Sequence, residues 1–197
     1  MARVLFLTNN DNAKGLYEWI AERAEASLCE SKLTLEMLQS INPDLVISYN
    51  YKHIVSKSCI DYMNHRIINI HISLLPWNRG AGPNLWSFVY DTPKGVTIHE
   101  MTPGLDEGDI IFQQGVEFDE NIHTLSSSYE ALNRTAVKLF KEHWEELISG
   151  NYTQIPQSGQ GSYHAIKDIA SLREKLDFQW TDTVAEFRNK IKNISLE

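Results

Sequence analysis

The chain has 197 residues, 42% apolar and 22% charged, which suits one globular domain with room for a small C-terminal extension. Its net charge of −8 argues against a surface built to grip a phosphate backbone, which needs clustered Lys and Arg; a small phosphorylated substrate stays open, because one local basic pocket suffices for it. Cys29 and Cys59 have no CxxC spacing, which argues against a disulfide scaffold or a structural zinc site. The N-terminal MARVLFLTNN lacks a full signal-peptide h-region, and no apolar stretch approaches the length of a membrane span. The expectation is a cytoplasmic protein, in which the sequons at Asn133, Asn151 and Asn193 carry no glycan.

Residues 2–8 (ARVLFLT) form a short run of β-formers and predict a buried first strand. The Asn/Asp cluster after it can cap a helix over about 13–24, where Leu16, Trp19, Ile20 and Ala24 make an apolar stripe. A second helix is predicted over 33–41, stopped by Pro43, and a buried strand over 44–49 (DLVISY). Ile67 to Ile72 (IINIHI) reads as a further strand, and a helix is expected to start near Pro83. Residues 95–101 and 109–118 predict two more strands around a polar Gly/Asp loop. Ser127 and Glu130 have capping-box spacing before a long helix that ends at Gly150. Residues 151–166 look loop-like, and helices near 168–175 and 181–193 complete the chain. Alternating strands and helices point to an α/β fold with a mainly parallel sheet. A domain over 1–150 followed by a loop and helical extension over 151–197 is the expected organisation.

Two features of this pattern carry chemistry. Asn69 and His71 sit at i and i+2 on an otherwise apolar strand, so their side chains share one face. Buried polar groups need partners, and the pair is either a satisfied structural hydrogen-bond pair or a functional one. The second feature is Leu105-Asp106-Glu107-Gly108-Asp109. It reads as a turn by composition, and Asp106 gains interest as a carboxylate that could orient a histidine. His99-Glu100 lacks a second His at metal-binding spacing and reads as part of a strand, so no metal is expected.

Residues 69–86, NIHISLLPWNRGAGPNLW, and residues 95–111, GVTIHEMTPGLDEGDII, together resemble the two signatures of the folate-dependent formyltransferases. The resemblance implies a Rossmann-like catalytic domain, 10-formyltetrahydrofolate as donor, and a primary amine as acceptor. It implies Asn69, His71 and Asp106 as the catalytic group. Attack of an amine on a formyl carbon gives an oxyanion, which the Asn69 amide and an N–H of His71 are chemically able to bind. Asp106 can then orient His71 and assist removal of the proton. By the same resemblance, the segment Tyr51–Val55 brings His53, Ile54 and Val55 to the pterin through its backbone, and Leu105 joins them. A plain strand-to-helix loop is the alternative for that segment. Trp77, Arg79, Gly80 and Gly82 match the family's loop after Ser-Leu-Leu-Pro. There, Gly allows close backbone approach, and Arg79 can pair with a carboxylate or phosphate or brace the loop. Trp77 and Trp86 could stack on a ligand, with core packing as the default.

Relatives that formylate glycinamide ribonucleotide hold phosphate on a Gly-rich turn after the first strand. Here that place reads Leu7-Thr8-Asn9-Asn10-Asp11-Asn12, without glycine, and Asp11 would repel phosphate. Relatives acting on initiator methionyl-tRNA carry a further C-terminal domain, for which the chain looks too short, and its acidity disfavours tRNA. Formyltetrahydrofolate hydrolases add a regulatory domain. The tract from Trp77 to Thr97, and the tail at Tyr163-His164, Lys167-Asp168 and Phe178-Gln179-Trp180, are similar to N-formyltransferases of nucleotide-linked amino sugars. The tract before Asn69 is shorter than in that group, which implies the loss of one strand–helix unit. A folate donor and a nucleotide-linked amino sugar are therefore the expected partners, without nucleic acid or membrane. Monomer and homodimer are both open. The alternatives are another small amine such as glycinamide ribonucleotide, or an inactive folate-binding member.

Overall fold

The computed structural model describes residues 1–192; Asn193, the last predicted helical residue and the third sequon, lies outside them. In chain order come β1 (Arg3–Leu7), a 3-10 turn (Asp11–Ala13), α1 (Lys14–Ala21), β2 (Glu25–Cys29), α2 (Leu35–Ile41), β3 (Leu45–Tyr49) and α3 (Lys57–Met63). Then follow β4 (Ile67–His71), β5 (Arg79–Gly80), α4 (Pro83–Val89), β6 (Gly95–Glu100) and β7 (Ile110–Gly115). The chain continues with α5 (Leu125–Glu142), α6 (Trp144–Ser149), β8 (Tyr163–His164), α7 (Ile166–Lys175) and α8 (Val184–Ile191). It passes repeatedly between two units. The first comprises Met1–His71, Ile98–Phe112 and Val137–Gln157; the second comprises Ile72–Thr97, Gln113–Ala136 and the chain from Ser158 onward.

In the first unit, the strands belong to a mainly parallel sheet of order β2-β1-β3-β4-β6-β7. Val4 pairs with Ala26 on one side and Leu45 on the other, and Val46 pairs with Ile67, all in parallel register. β1 and β3 are continuous apolar runs with almost every residue buried, as a parallel sheet covered on both faces requires. Leu5, Leu7, Leu38, Val46, Cys59, Met63 and Ile67 fill one core of this unit. β2 (EASLC) was missed by the sequence pattern, because it is the edge strand and only Cys29 is buried. The helix expected up to residue 24 therefore stops at Ala21, and the tract before Asn69 holds three strand–helix steps.

The local signals mostly act where expected. The Asn10 side chain caps the 3-10 turn by accepting from the Asn12 N–H, and Thr34 caps α2. Asn42, in the left-handed region at φ 47°, ends α2 just before Pro43. α4 starts at Pro83, inside the first turn.

The long helix differs from expectation at both ends. Its N-terminal box is not Ser127/Glu130 but Thr124/Ser127. The Ser127 N–H donates to Thr124 Oγ1 (3.0 Å), and the Thr124 N–H donates to Ser127 Oγ (2.9 Å). At the other end the helix breaks at His143, whose ring stacks on Phe112 with centroids 3.7 Å apart and planes at 9°. That contact lies within the first unit, and His143 itself is out of helical geometry (φ −109°, ψ 21°). α6 then ends at Gly150 (φ 75°).

The second unit has its own core of Leu85, Phe88, Leu125, Leu172, Phe178 and Phe187. The segment read as a plain loop after Gly150 includes β8, which pairs in parallel with β5. Among the described residues, no helix is long and apolar enough to cross a membrane.

Candidate active site

β4 places Asn69 and His71 on one face at its C-terminal end, with Ser48 of β3 in register beside Asn69. The Met101 N–H donates to Ile67 O (2.9 Å), which seats the end of β6 against the start of β4 and brings His99 alongside Asn69. The loop that follows returns Asp106 to the same place. Asp106 adopts φ 54°, in the left-handed region, which side chains other than Asn and Asp rarely accept. Gly108 is required two residues later, because a Cβ there would stand 1.9 Å from Glu100 O. Gln157 completes the loop: its amide Nε2 donates to Asp106 O (2.8 Å) and to Gly108 O (2.8 Å).

The four side chains form one cluster within the first unit. His71 Nδ1 lies 3.7 Å from Asp106 Oδ2. The Asn69 amide donates to Asp106 Oδ1 (3.2 Å) and to His99 Nε2 (3.2 Å). His99 Nδ1 is 2.7 Å from Glu100 O. A carbonyl can only accept, so the proton of a neutral His99 sits on Nδ1 and leaves the Nε2 lone pair for Asn69. His71 and His99 are 7% and 2% exposed, and the Asp106 side chain 10%, so the group lies where charge is weakly screened. Behind it, the buried Glu100 carboxylate is bonded by His65 Nδ1 and by Gln154 Nε2 (2.7 Å to the latter).

Asn69, His71 and Asp106 are thus brought together as expected. The proposed use of the Asn69 amide needs amending, since both of its N–H groups already have acceptors in the cluster. His99 and Gln157 were not foreseen. His99 reads in sequence as part of a strand without metal-ligand spacing, and Gln157 lies in a tract whose composition reads as loop.

The loop after β3 also lies in the first unit. The Asn9 carboxamide oxygen accepts from the Lys52 N–H (3.1 Å), and Tyr51 Oη accepts from the Leu33 N–H (2.9 Å), so the segment is braced at two points. Burial pushes the Tyr51 hydroxyl up to about 12, which keeps it neutral. Ile54 is 77% exposed and Leu105, beside Asp106, is 47% exposed, whereas Val55 is buried in the core. Two large apolar side chains are therefore presented to solvent at the expected pterin-binding positions, and the Val55 side chain is not.

Trp77, Arg79, Gly80 and Gly82 belong to the second unit. The Arg79 and Ala81 N–H groups donate to Ser162 O (2.9 Å) and His164 O (2.8 Å). Gly80 has φ 88°, and a Cβ on it would meet His164 O at 2.3 Å; the glycine is needed for this strand pairing. Trp86 is 4% exposed and stacks on His164 at 4.4 Å and 14°. Tyr90 stacks on the same ring at 5.4 Å. Burial holds His164 below the usual histidine range, against the opposing pull of Asp168. Core packing thus accounts for Trp86.

Comparison with known proteins bears on the fold and the family. The chain is 30% identical over 169 residues to the methionyl-tRNA formyltransferase of Clostridium botulinum, covering 85% of this chain and 53% of that protein. The chain therefore spans about half the length of the curated relatives it matches. The formyltransferase PseJ from Anoxybacillus kamchatkensis is 39% identical, with a TM-score of 0.87 over 96% of this chain and 99% of that one. Its crystal structure holds UDP-4,6-dideoxy-4-formamido-L-AltNAc and tetrahydrofolate. A sugar N-formyltransferase from a Shewanella species is 27% identical, with a TM-score of 0.74 over 95% of this chain and 87% of that one. Residues 4–143, which contain both signatures and the whole Asn69–His71–Asp106 cluster, match the family described as Formyl transferase, and the chain belongs to that family.

Proposed function

We propose that the chain moves the formyl group of 10-formyltetrahydrofolate onto the primary amine of a nucleotide-linked amino sugar. The observation that carries formyl transfer is the buried cluster, in which an amide, an imidazole and a carboxylate converge at the end of β4. An amine attacking a formyl carbon becomes cationic as the carbonyl oxygen becomes anionic. His71 donates to that oxygen, and Asp106, 3.7 Å from His71 Nδ1, orients the ring and takes up the amine proton directly or through water, then gives it to N10 of the folate as the bond from the formyl carbon to N10 breaks and tetrahydrofolate leaves. Protonation of Asp106 weakens it as an acceptor, so the Asn69 N–H that it holds at 3.2 Å becomes available to the oxyanion. His99 keeps the other N–H and with it the orientation of the amide. The exposed Ile54 and Leu105 side chains suit the apolar face of a pterin.

The amino-sugar acceptor is supported by the near full-length likeness to PseJ, and by Asp11 and the absence of glycine in the turn after β1. The curated relatives favour a second acceptor, initiator methionyl-tRNA. The test incubates the chain with 10-formyltetrahydrofolate and, separately, amino-sugar nucleotides, glycinamide ribonucleotide and methionyl-tRNA, and follows tetrahydrofolate release. Release with an amino-sugar nucleotide, abolished in Asn69→Ala, His71→Ala and Asp106→Ala, is the expected result. Release only with one of the other acceptors refutes the sugar assignment. Folate binding without release in any arm refutes catalysis.

A further inference from the structure

The geometry points to Gln157 as a positioning residue that holds Asp106 in its working orientation. This inference rests on the formyl-transfer reading and extends it to a segment outside both signature stretches. Asp106 occupies the left-handed region at φ 54°, a conformation that persists only where the surroundings impose it. Gly104 and Gly108 bracket it within the same loop, and glycine leaves the backbone more conformational freedom than other residues do. The restraint comes from 51 residues away: each N–H of the Gln157 amide donates to one loop carbonyl, Asp106 O and Gly108 O, both at 2.8 Å.

The orientation of that amide admits no alternative. Among the described residues, Gln157 Oε1 is buried with no hydrogen-bond partner, and leaving an acceptor unsatisfied is unfavourable. Turning the amide over would satisfy nothing, because it would set Oε1 against two carbonyl oxygens. The chain thus accepts one unsatisfied acceptor in return for two donors on the loop that carries Asp106. Gln157 touches no reacting atom. It acts by keeping the carboxylate within reach of both Asn69 and His71, a separation whose loosening by about 1 Å is enough to slow a reaction on the order of 100-fold.

Two variants test this. Gln157→Met keeps the length of the side chain and removes both donors; Gln157→Glu keeps its shape and opposes a carboxylate to the two carbonyls. The expected result in each is a fall in kcat of about 10- to 100-fold with KM for both substrates unchanged, in protein that stays folded by circular dichroism. The amide 1H–15N signals of Asp106 and Gly108 are expected to shift or broaden in the variants, while those of β1 and β3 stay fixed. This second readout needs no turnover. If the unmodified chain transfers no formyl group, the functional reading fails and the amide signals alone decide the role of Gln157. Unchanged kcat in folded variants overturns the inference, as does a loss of activity that only tracks loss of folded protein. Unchanged loop signals overturn it too.

Discussion

Asp106 joins a chemical requirement to a conformational one. Its carboxylate reaches both the Asn69 amide and the His71 ring from a loop in which Asp106 adopts φ 54°. Aspartate and asparagine accept that region more readily than other side chains, because their short polar groups bond locally. The two roles are separable by substitution. Asp106→Asn is expected to leave the urea midpoint nearly unchanged while lowering kcat by about 100-fold or more, since the amide cannot take up a proton. Asp106→Ala is expected to lose turnover equally and to cost a further ~1 kcal/mol of stability, because alanine is strained in the left-handed region. Equal urea midpoints for the two variants would show that the backbone there is unstrained. His99 illustrates how a residue's function escapes a local reading. In sequence it is one more polar residue on a strand, and only its approach to within 3.2 Å of Asn69 reveals that it fixes the amide.

At the level of elements, capping chemistry decides where α5 begins. Ser127 and Glu130 have the spacing of a capping box, but so do Thr124 and Ser127 in the sense that matters, an exchange of two backbone N–H donors for two side-chain oxygens. Thr124 wins because its hydroxyl meets the Ser127 N–H while Ser127 returns the bond. Glu130 lies further along the helix and only approaches Arg134, at 3.9 Å on the surface. Thr124→Ala is therefore expected to destabilise by about 1 kcal/mol and Glu130→Ala by less than about 0.5 kcal/mol, as read from urea unfolding. The reverse order would restore the box at Ser127. β2 teaches a related lesson. An edge strand with one buried residue gives no apolar run, so its place is set by pairing with β1 and not by its own composition.

On the scale of the whole molecule, charge contributes to stability within each unit more than to any extended basic surface. In the second unit Arg188 forms a two-pronged pair with Asp91, both contacts at 3.0 Å, and also reaches Glu120, while Lys94 bonds Asp91 from the other side. The Arg188 guanidinium, and then Lys94, hold the Asp91 carboxyl below its usual range. A carboxyl lowered by folding contributes stability that is present above its unfolded value and disappears as pH falls through the folded one. Arg188→Ala is accordingly expected to lower the urea midpoint at neutral pH, with the difference from the unmodified chain narrowing below about pH 4. The effect is modest because Asp91 is 60% exposed and screened by solvent. A difference that grows on acidification would contradict the pairing. The sequence by itself determined the α/β plan and the strands β1, β3 and β4, because apolar runs and their period are local properties. It also determined that Asn69 and His71 share a face, since alternation along a strand needs no fold to be read. Only the tertiary structure decided the partners of those side chains. Asp106 meets Asn69 across 37 residues and Gln157 meets Asp106 across 51, and hydrogen bonds over such separations form only once the sheet and its loops have closed the intervening chain. The clamp on Asp106, the hold of His99 on the Asn69 amide and the burial of Trp86 against His164 follow from that closure, because each depends on a partner that no neighbouring residue supplies.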